Sequence, residues 1–498
     1  MQLQFEKQPV SCLHTVKREV QSQEQTQEVR ISDGMPDIGR IIGAWGQVIL
    51  RSKEWQGDGM SVSGGTMVWV QYMPEEDGQL QCVESWLPFQ MHWTFPPTQH
   101  DGIIMTQGFL CSVEARSTSA RKMMLRSNVS VLAWAMENRE TDLFAPSQLV
   151  DDIRLRKEIY PVLLPVAAGE KAFSLEDTFT LPPSVPPVEK LLHYHLQPEI
   201  TEEKILADKV VFRGNAVLHT LYLSDDGGVY AWDFDLPFTQ YGELEKEYSE
   251  HAQILLIPAV TALELEREEE KLNLKAGLVC QYRVCEKTMA EVVADAYSPR
   301  RTAVPEQESL ELPGILETKT QNIHAQVSCP LDGMRLTDVR FLPRSVHVRT
   351  AGEQATLELS GQFQLLYYDM DGQPHTSMQK WEETLSLLIG DGCIVEAVLA
   401  PLGKPQGNLT AGNAQMSVDL QLTVQTVSGN GIPMVTGIEL GELQQPDPHR
   451  PSLILLRPGK KDLWQLAKEN GSTVEAIRSA NNLQEEPAAE KMLLIPVI

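Results

Sequence analysis

Gly214-Asn215-Ala216-Val217-Leu218-His219-Thr220-Leu221-Tyr222 runs into Asp226-Gly227 and restarts toward Trp232, and this stretch decides how the rest of the chain reads. An apolar, aromatic run that halts at Asp-Gly and then resumes is a hairpin signal, because both turn residues tolerate positive φ. The same phrase occurs twice more. Gly65-Thr66-Met67-Val68-Trp69-Val70-Gln71-Tyr72 leads to Asp77-Gly78 and Trp86, and Gly361-Gln362-Phe363-Gln364-Leu365-Leu366-Tyr367-Tyr368 leads to Asp371-Gly372 and Trp381. The Asp-Gly pairs stand 149 and then 145 residues apart, so the 498-residue chain carries an internal repeat of about that length. The first two copies share Leu-Pro-Phe after the tryptophan (87–89 and 236–238), which the third lacks.

Working outward, Met35-Pro36-Asp37-Ile38 resembles Val185-Pro186-Pro187-Val188, and Asp33-Gly34-Met35 recurs as Asp332-Gly333-Met334. Each copy ends in an alternating run, clearest at Met416-Ser417-Val418-Asp419-Leu420-Gln421-Leu422-Thr423-Val424-Gln425. Period-two alternation marks a strand with one buried face. Helical periodicity is scarce before residue 450. The expected fold is mainly β: three repeated β-rich, sandwich-like domains over 1–150, 151–305 and 306–447, then a small α+β domain over 450–498.

The tail differs in charge as well as in pattern. The whole chain has 42 Lys and Arg against 68 Asp and Glu, a net charge of −26. Residues 451–498 carry six of each sign, so the acidity belongs to the repeats. Ser452-Leu453-Ile454-Leu455-Leu456 reads as a strand, Asp462 as the cap of a helix ended by Gly471, and Ser472-Thr473-Val474-Glu475 as a capping box opening a second helix. Leu493-Leu494-Ile495-Pro496 closes a βααβ unit.

A chain this acidic is poorly suited to coating nucleic acid or an anionic membrane, where affinity rests on neutralising phosphates. No stretch reaches the ~20 apolar residues of a membrane span, and the N-terminus lacks a basic start followed by an apolar run, so no signal peptide is expected. The seven cysteines are odd in number and scattered, which fits buried thiols in a reducing compartment better than a disulfide framework. A soluble, intracellular, multidomain protein is expected.

The tail resembles the LysM domain through Arg457-Pro458-Gly459, Leu463-Trp464-Gln465-Leu466-Ala467-Lys468, Gly471-Ser472-Thr473-Val474-Glu475-Ala476-Ile477, Ala480-Asn481-Asn482-Leu483 and Lys491-Met492-Leu493-Leu494-Ile495-Pro496. The resemblance implies a module that binds N-acetylglucosamine-containing glycans through its first and second loops. The first loop, Pro458-Gly459-Lys460-Lys461-Asp462-Leu463, is one residue longer than the family's and carries two lysines. The second, from Gln484 to Glu490, is acidic and lacks the usual Pro-Gly. A LysM tail behind large β-rich repeats resembles the SipL-type spore-coat morphogenetic proteins, whose repeats are called SPOCS domains. That resemblance implies a non-enzymatic adaptor in the mother-cell cytoplasm at the forespore surface. Its LysM domain would engage a coat-morphogenetic ATPase and so gather other coat proteins. The alternative reading is a peptidoglycan-binding protein of cell wall or cortex. The binding residues implied in either case are Gly459, Lys460, Lys461, Asp462, Asn482, Leu483 and Gln484.

Chemistry elsewhere is sparse. No Walker loop, GxSxG, HExxH or Rossmann glycine pattern occurs. His193 and His195 alternate on one strand face with His219 nearby, a set that would suit zinc. No cysteine or carboxylate stands at ligand spacing, so a cross-strand polar pair is expected, with neither metal nor cofactor. Glu264, Glu266, Glu268, Glu269 and Glu270 read as a solvated hairpin shoulder. Trp86, Trp232 and Trp381, at equivalent sites, read as core or hairpin packing rather than the lining of a ligand groove, and Trp464 as tail core or else an interface anchor. Lys460 and Lys461 read either as a solvated turn or as a basic tip meeting an acidic partner.

Overall fold

The computed structural model describes residues 2–76, 78–98, 100–146, 151–310, 312, 314–429, 431–444, 451–485 and 492–498. Asp77 of the first Asp-Gly turn, the expected boundaries at 150 and 447, and most of the second tail loop (486–490) lie outside the described residues.

Alternation builds a mainly β molecule in which one six-strand pattern occurs three times. The first comprises β1 (Gln2–Arg30), β2 (Ile38–Trp55), β3 (Gly59–Pro74), β4 (Gln81–Thr94), β5 (Ile103–Ser119) and β6 (Lys122–Pro146). Strands β1, β6 and β5 form one antiparallel sheet, and β2, β3 and β4 another. The second comprises β7 (Arg154–Thr180), β8 (Lys190–Leu206), β9 (Lys209–Leu223), β10 (Val229–Glu243), β11 (Gln253–Glu268) and β12 (Lys271–Tyr297), paired in the same way.

In the third, three of the six strands are each split in two. Its strands are β13 (Ala303–Leu310), β14 (Ile315–Pro330), β15 (Arg335–Pro343), β16 (His347–Ala351), β17 (Gln354–Tyr368), β18 (Pro374–Leu388), β19 (Ile394–Thr410), β20 (Asn413–Val427) and β21 (Ile432–Leu440). The even-numbered residues Met416 to Val424 of β20 face the core, as their alternation demands.

In each copy the two sheets pack face to face. Met60, Val62, Phe89 and Trp93 of one sheet meet Ile104, Leu110, Val129 and Val131 of the other. The copies are also fused. Residues Gln2–Gln4 of β1 pair with Glu439–Gly437 of β21, which brings the two ends of the repeat region together. Ile315 of β14 pairs with Leu163 of β7. Trp45 and Trp69 of the first copy belong to the apolar core of the second, together with Leu366 of the third.

The second and third Asp-Gly pairs stand at turns, where the glycine alone takes positive φ, Gly227 at 78° and Gly372 at 72°. The tryptophans that follow are not equivalent. Trp86 pairs with Met67, Trp232 with Thr220 and Trp381 with Gly361, at different distances from the turn. Trp381 is buried, whereas Trp86 lies under the Arg51 guanidinium, 4.3 Å from its ring centre.

In the tail, β22 (Leu453–Leu456) and β23 (Leu493–Pro496) pair antiparallel beside α1 (Leu463–Asn470) and α2 (Val474–Asn481). Asp462 caps α1 and Gly471 ends it at φ 61°, as the sequence implies. The second cap is Thr473, which accepts from the Ala476 amide, and not Ser472, whose side chain is buried. Among the described residues no helix is long and apolar enough to cross a membrane.

Candidate functional site

The second strand of every copy slips register at the same point. The slip falls between Ile41 and Gly43 opposite Tyr72, between Leu191 and His193 opposite Tyr222, and between Leu336 and Asp338 opposite Tyr367. A bulge bends its strand and re-aims the side chains that follow. Equivalent positions therefore carry Gly43, His193 and Asp338, and two residues on, Trp45, His195 and Arg340. Across the ladder from that second set stand Trp69, His219 and Gln364.

These side chains meet where the three copies join. Trp45 stacks on His193, ring centres 5.0 Å apart and 14° from parallel. The Gln71 amide lies 3.1 Å from His193 Nδ1. Asp338 reaches in from the third copy, with Oδ2 3.4 Å from His193 Nε2 and Oδ1 3.1 Å from His219 Nε2. On its other side His219 Nδ1 lies 2.6 Å from Asp233 Oδ1. Lys404 approaches Asp233 at 3.4 Å. His195 lies beside His219, ring centres 4.8 Å apart. The cluster opens onto a cavity of about 190 Å³ bounded by Val217, Leu336, Lys404 and Gly407. The expectation of no carboxylate within reach of the histidines is therefore corrected: Asp338 comes from another copy, and Asp233 from the neighbouring strand.

Electrostatics separates the three imidazoles. Burial pushes His193 down to about 4 against the pull of Asp338. Burial and the nearby Arg340 guanidinium hold His195 well below its ordinary value. Burial also disfavours charge on His219, but Asp338 and the hydrogen bond to Asp233 outweigh it and raise His219 to about 10. Asp338 is held well below the usual carboxylate range: burial opposes its charge, and His219 and His193 more than compensate. Three imidazoles converge on one point, with the Asp338 carboxylate against two of them, and such donors suit a divalent transition metal.

Elsewhere, a second polar junction joins the copies. Arg283 reaches Glu396 at 3.3 Å and bonds Gln425, while Arg18 lies over Trp134, 4.8 Å from its ring centre. The Glu264–Glu270 carboxylates are solvent-exposed, as a shoulder should be.

The tail residues singled out by sequence divide by what they touch. Gly459, at φ 61°, and Lys460 are exposed at the tip of the first loop. Lys461 pairs with Glu469 at 2.6 Å. Asp462 caps α1 and also binds Arg156 of β7 at 2.9 Å, so this loop faces the repeats. Asn482 ends α2 in the left-handed region, Leu483 packs on the tail core, and Gln484 is exposed. Trp464 is half-buried: it packs edge-on against Tyr297 and donates to Asp295 Oδ2 at 2.8 Å, while Lys468 holds the same carboxylate. These docking contacts were not legible, because Asp295 and Tyr297 lie at the far end of β12 with no spacing signal.

Residues 187–265, spanning β8–β10 and most of β11, match the family model described as SipL, SPOCS domain. The stretch contains all three clustered histidines and Asp233. No curated protein and no solved structure matches the chain. The match covers 79 of the 498 residues, so the likeness to that family is one of the second copy.

Proposed function

We propose that this chain is a sporulation adaptor without enzymatic activity, which binds a coat-morphogenetic ATPase through its tail and gathers other coat proteins at the forespore. The observation that carries the reading is the SPOCS match over 187–265, which suggests a sporulation-related protein. The tail geometry supports a protein ligand. The outer face of its two-stranded sheet exposes Leu453, Leu455 and Leu494, with Met492 beside them. Exposed apolar side chains sharing one sheet face are the material from which protein-docking surfaces are made. Lys460 stands free at the neighbouring loop tip, placed to meet an acidic rim.

The glycan reading draws on the LysM resemblance of the tail. Asp462, in the loop that reading requires, is occupied by Arg156.

The discriminating experiment is pull-down of a coat ATPase by the full chain, by Leu455→Asp and by a chain lacking residues 451–498. Loss of capture in both variants is expected. Equal capture without the tail rejects its role. Micromolar binding of peptidoglycan fragments by the full chain, abolished by tail deletion, would replace the adaptor reading with the glycan one.

A further inference from the structure

We propose that the junction of the copies is a structural zinc site, with the imidazoles of His193, His195 and His219 and the carboxylate of Asp338 as its four ligands. The proposal goes beyond the adaptor reading and does not depend on it.

Three observations carry it. First, the donors converge: one ligand nitrogen from each histidine lies within 4.8 Å of the other two. In a tetrahedral shell with Zn–N near 2.0–2.1 Å those nitrogens would sit ~3.3 Å apart, so binding draws the rings inward around one centre.

Second, the atoms facing that centre lack hydrogen bonds. His193 Nε2, His195 Nδ1, His219 Nε2 and Asp338 Oδ2 are all buried without one. The approaches of Asp338 to His193 and His219 are close but not aligned as hydrogen bonds. Leaving one buried polar atom unsatisfied costs about 1–3 kcal/mol. A divalent cation bound among these side chains would give each of these atoms a partner.

Third, the outer groups already orient the rings as metal ligands. His219 Nδ1–H donates to Asp233, which leaves Nε2 for the ion, and Lys404 in turn steadies Asp233. Gln71 presents one amide atom to His193 Nδ1, while its Oε1 is buried without a partner. With that amide turned over, Oε1 accepts from His193 Nδ1–H, which leaves His193 Nε2 free toward Asp338. Trp45 fixes the plane of the same ring. The carboxylate behind His219 is the usual outer shell of a zinc-bound histidine, and the Gln71 amide stands in that place behind His193.

Four protein ligands leave no open position, so the site is structural rather than catalytic. The ion ties three ligands of the second copy to one of the third and replaces a strained set of buried charges with bonds.

The test uses tag-free full-length chain, stripped with chelator and titrated with Co²⁺ under visible spectroscopy, then with Zn²⁺. Expected are one cobalt per chain, a tetrahedral d–d band displaced by zinc, and a metal-dependent rise in Tm. His195→Gln and Asp338→Asn should each abolish the band, and Asp233→Asn should weaken cobalt binding 10–100-fold. Asp338→Asn risks misfolding, so circular dichroism accompanies every variant, and His195→Gln, at the cavity wall, serves as the second probe. Natively folded wild type that binds neither cobalt nor zinc overturns the proposal. So does a wild-type band in folded His195→Gln.

Discussion

At the scale of the residue, one backbone position has three chemistries. Gly43, His193 and Asp338 follow the same bulge in their copies, yet only one is a glycine. A Cβ on Gly43 would lie 2.7 Å from Thr376 Cγ2 and 3.0 Å from the Trp45 ring, and Thr376 is itself held by its bond to the Ile42 carbonyl. Gly43→Val should therefore destabilise by about 1–3 kcal/mol through overpacking, read as a lower denaturant midpoint at unchanged slope. Trp45→Ala, which removes a fully buried ring stacked on His193, should cost about 3–5 kcal/mol. Smaller losses for both would mean that the junction is loosely packed. The thiols give a chemical check. Burial pushes Cys12 and Cys285 up to about 11 and Cys280 to about 12. In the native chain at pH 8 these three should resist a thiol reagent that modifies all seven after unfolding. Three of the four side chains of the histidine site were legible. His193, His195 and His219 could be grouped from alternation and the hairpin. Asp338 could not, because the Asp-Gly-Met recurrence runs out of step with the bulge register that aligns it with His193.

At the scale of the element, what could be read depended on whether the signal was local. Asp462 and Gly471 bound α1 as their chemistry requires, because capping is settled within four residues. The start of α2 was misplaced by one, since Ser472 and Thr473 are both capable caps and burial of Ser472 in the tail core decides between them. Trp464, read as tail core or interface anchor, packs on the tail core and straddles the seam to β12. That seam turns on Asp295, whose carboxyl is held below its ordinary value: burial opposes charge, but Lys468 and Trp464 bond the ionised form. A lowered folded-state value means stability that is present above the unfolded pKa and lost as pH falls through the folded one. Docking of the tail should therefore weaken below about pH 4, read as faster amide exchange in α1 and a shift in Trp464 fluorescence. Lys468 is partly exposed, so its pairing counts for little, and Asp295→Asn should cost only about 1 kcal/mol at neutral pH. It should also remove the acid transition of α1. Persistence of that transition in Asp295→Asn would place the acid-sensitive group elsewhere.

At the scale of the whole molecule, the repeat suggests three separable beads, and the packing points the other way. The two ends of the repeat region pair through β1 and β21, so all three copies are held in a closed circuit. The core of the second copy is completed by Trp45 and Trp69 from the first and Leu366 from the third. Buried polar contacts cross the same seams: Gln47 exchanges hydrogen bonds with the Leu196 backbone, and Gln364 donates to the Ala44 carbonyl. Period-two patterning reports which face of a strand is buried, not whose side chains cover it, so the sequence alone could not have revealed this sharing. A piece cut at the repeat boundaries leaves apolar area and unpaired amides open to water, each costly. Residues 154–297 expressed alone should therefore bind a hydrophobic dye, aggregate on size exclusion and resist proteolysis poorly. The full repeat region should unfold in one step, with tryptophan fluorescence and far-ultraviolet circular dichroism tracing the same urea curve. Three resolved transitions, or a stable monomeric 154–297, would mean that the shared seams contribute little. In that case single-copy deletions would be sound tools for assigning partners to copies. If the molecule unfolds as one, such deletions disrupt every surface together, and partners must be mapped with exposed point substitutions instead.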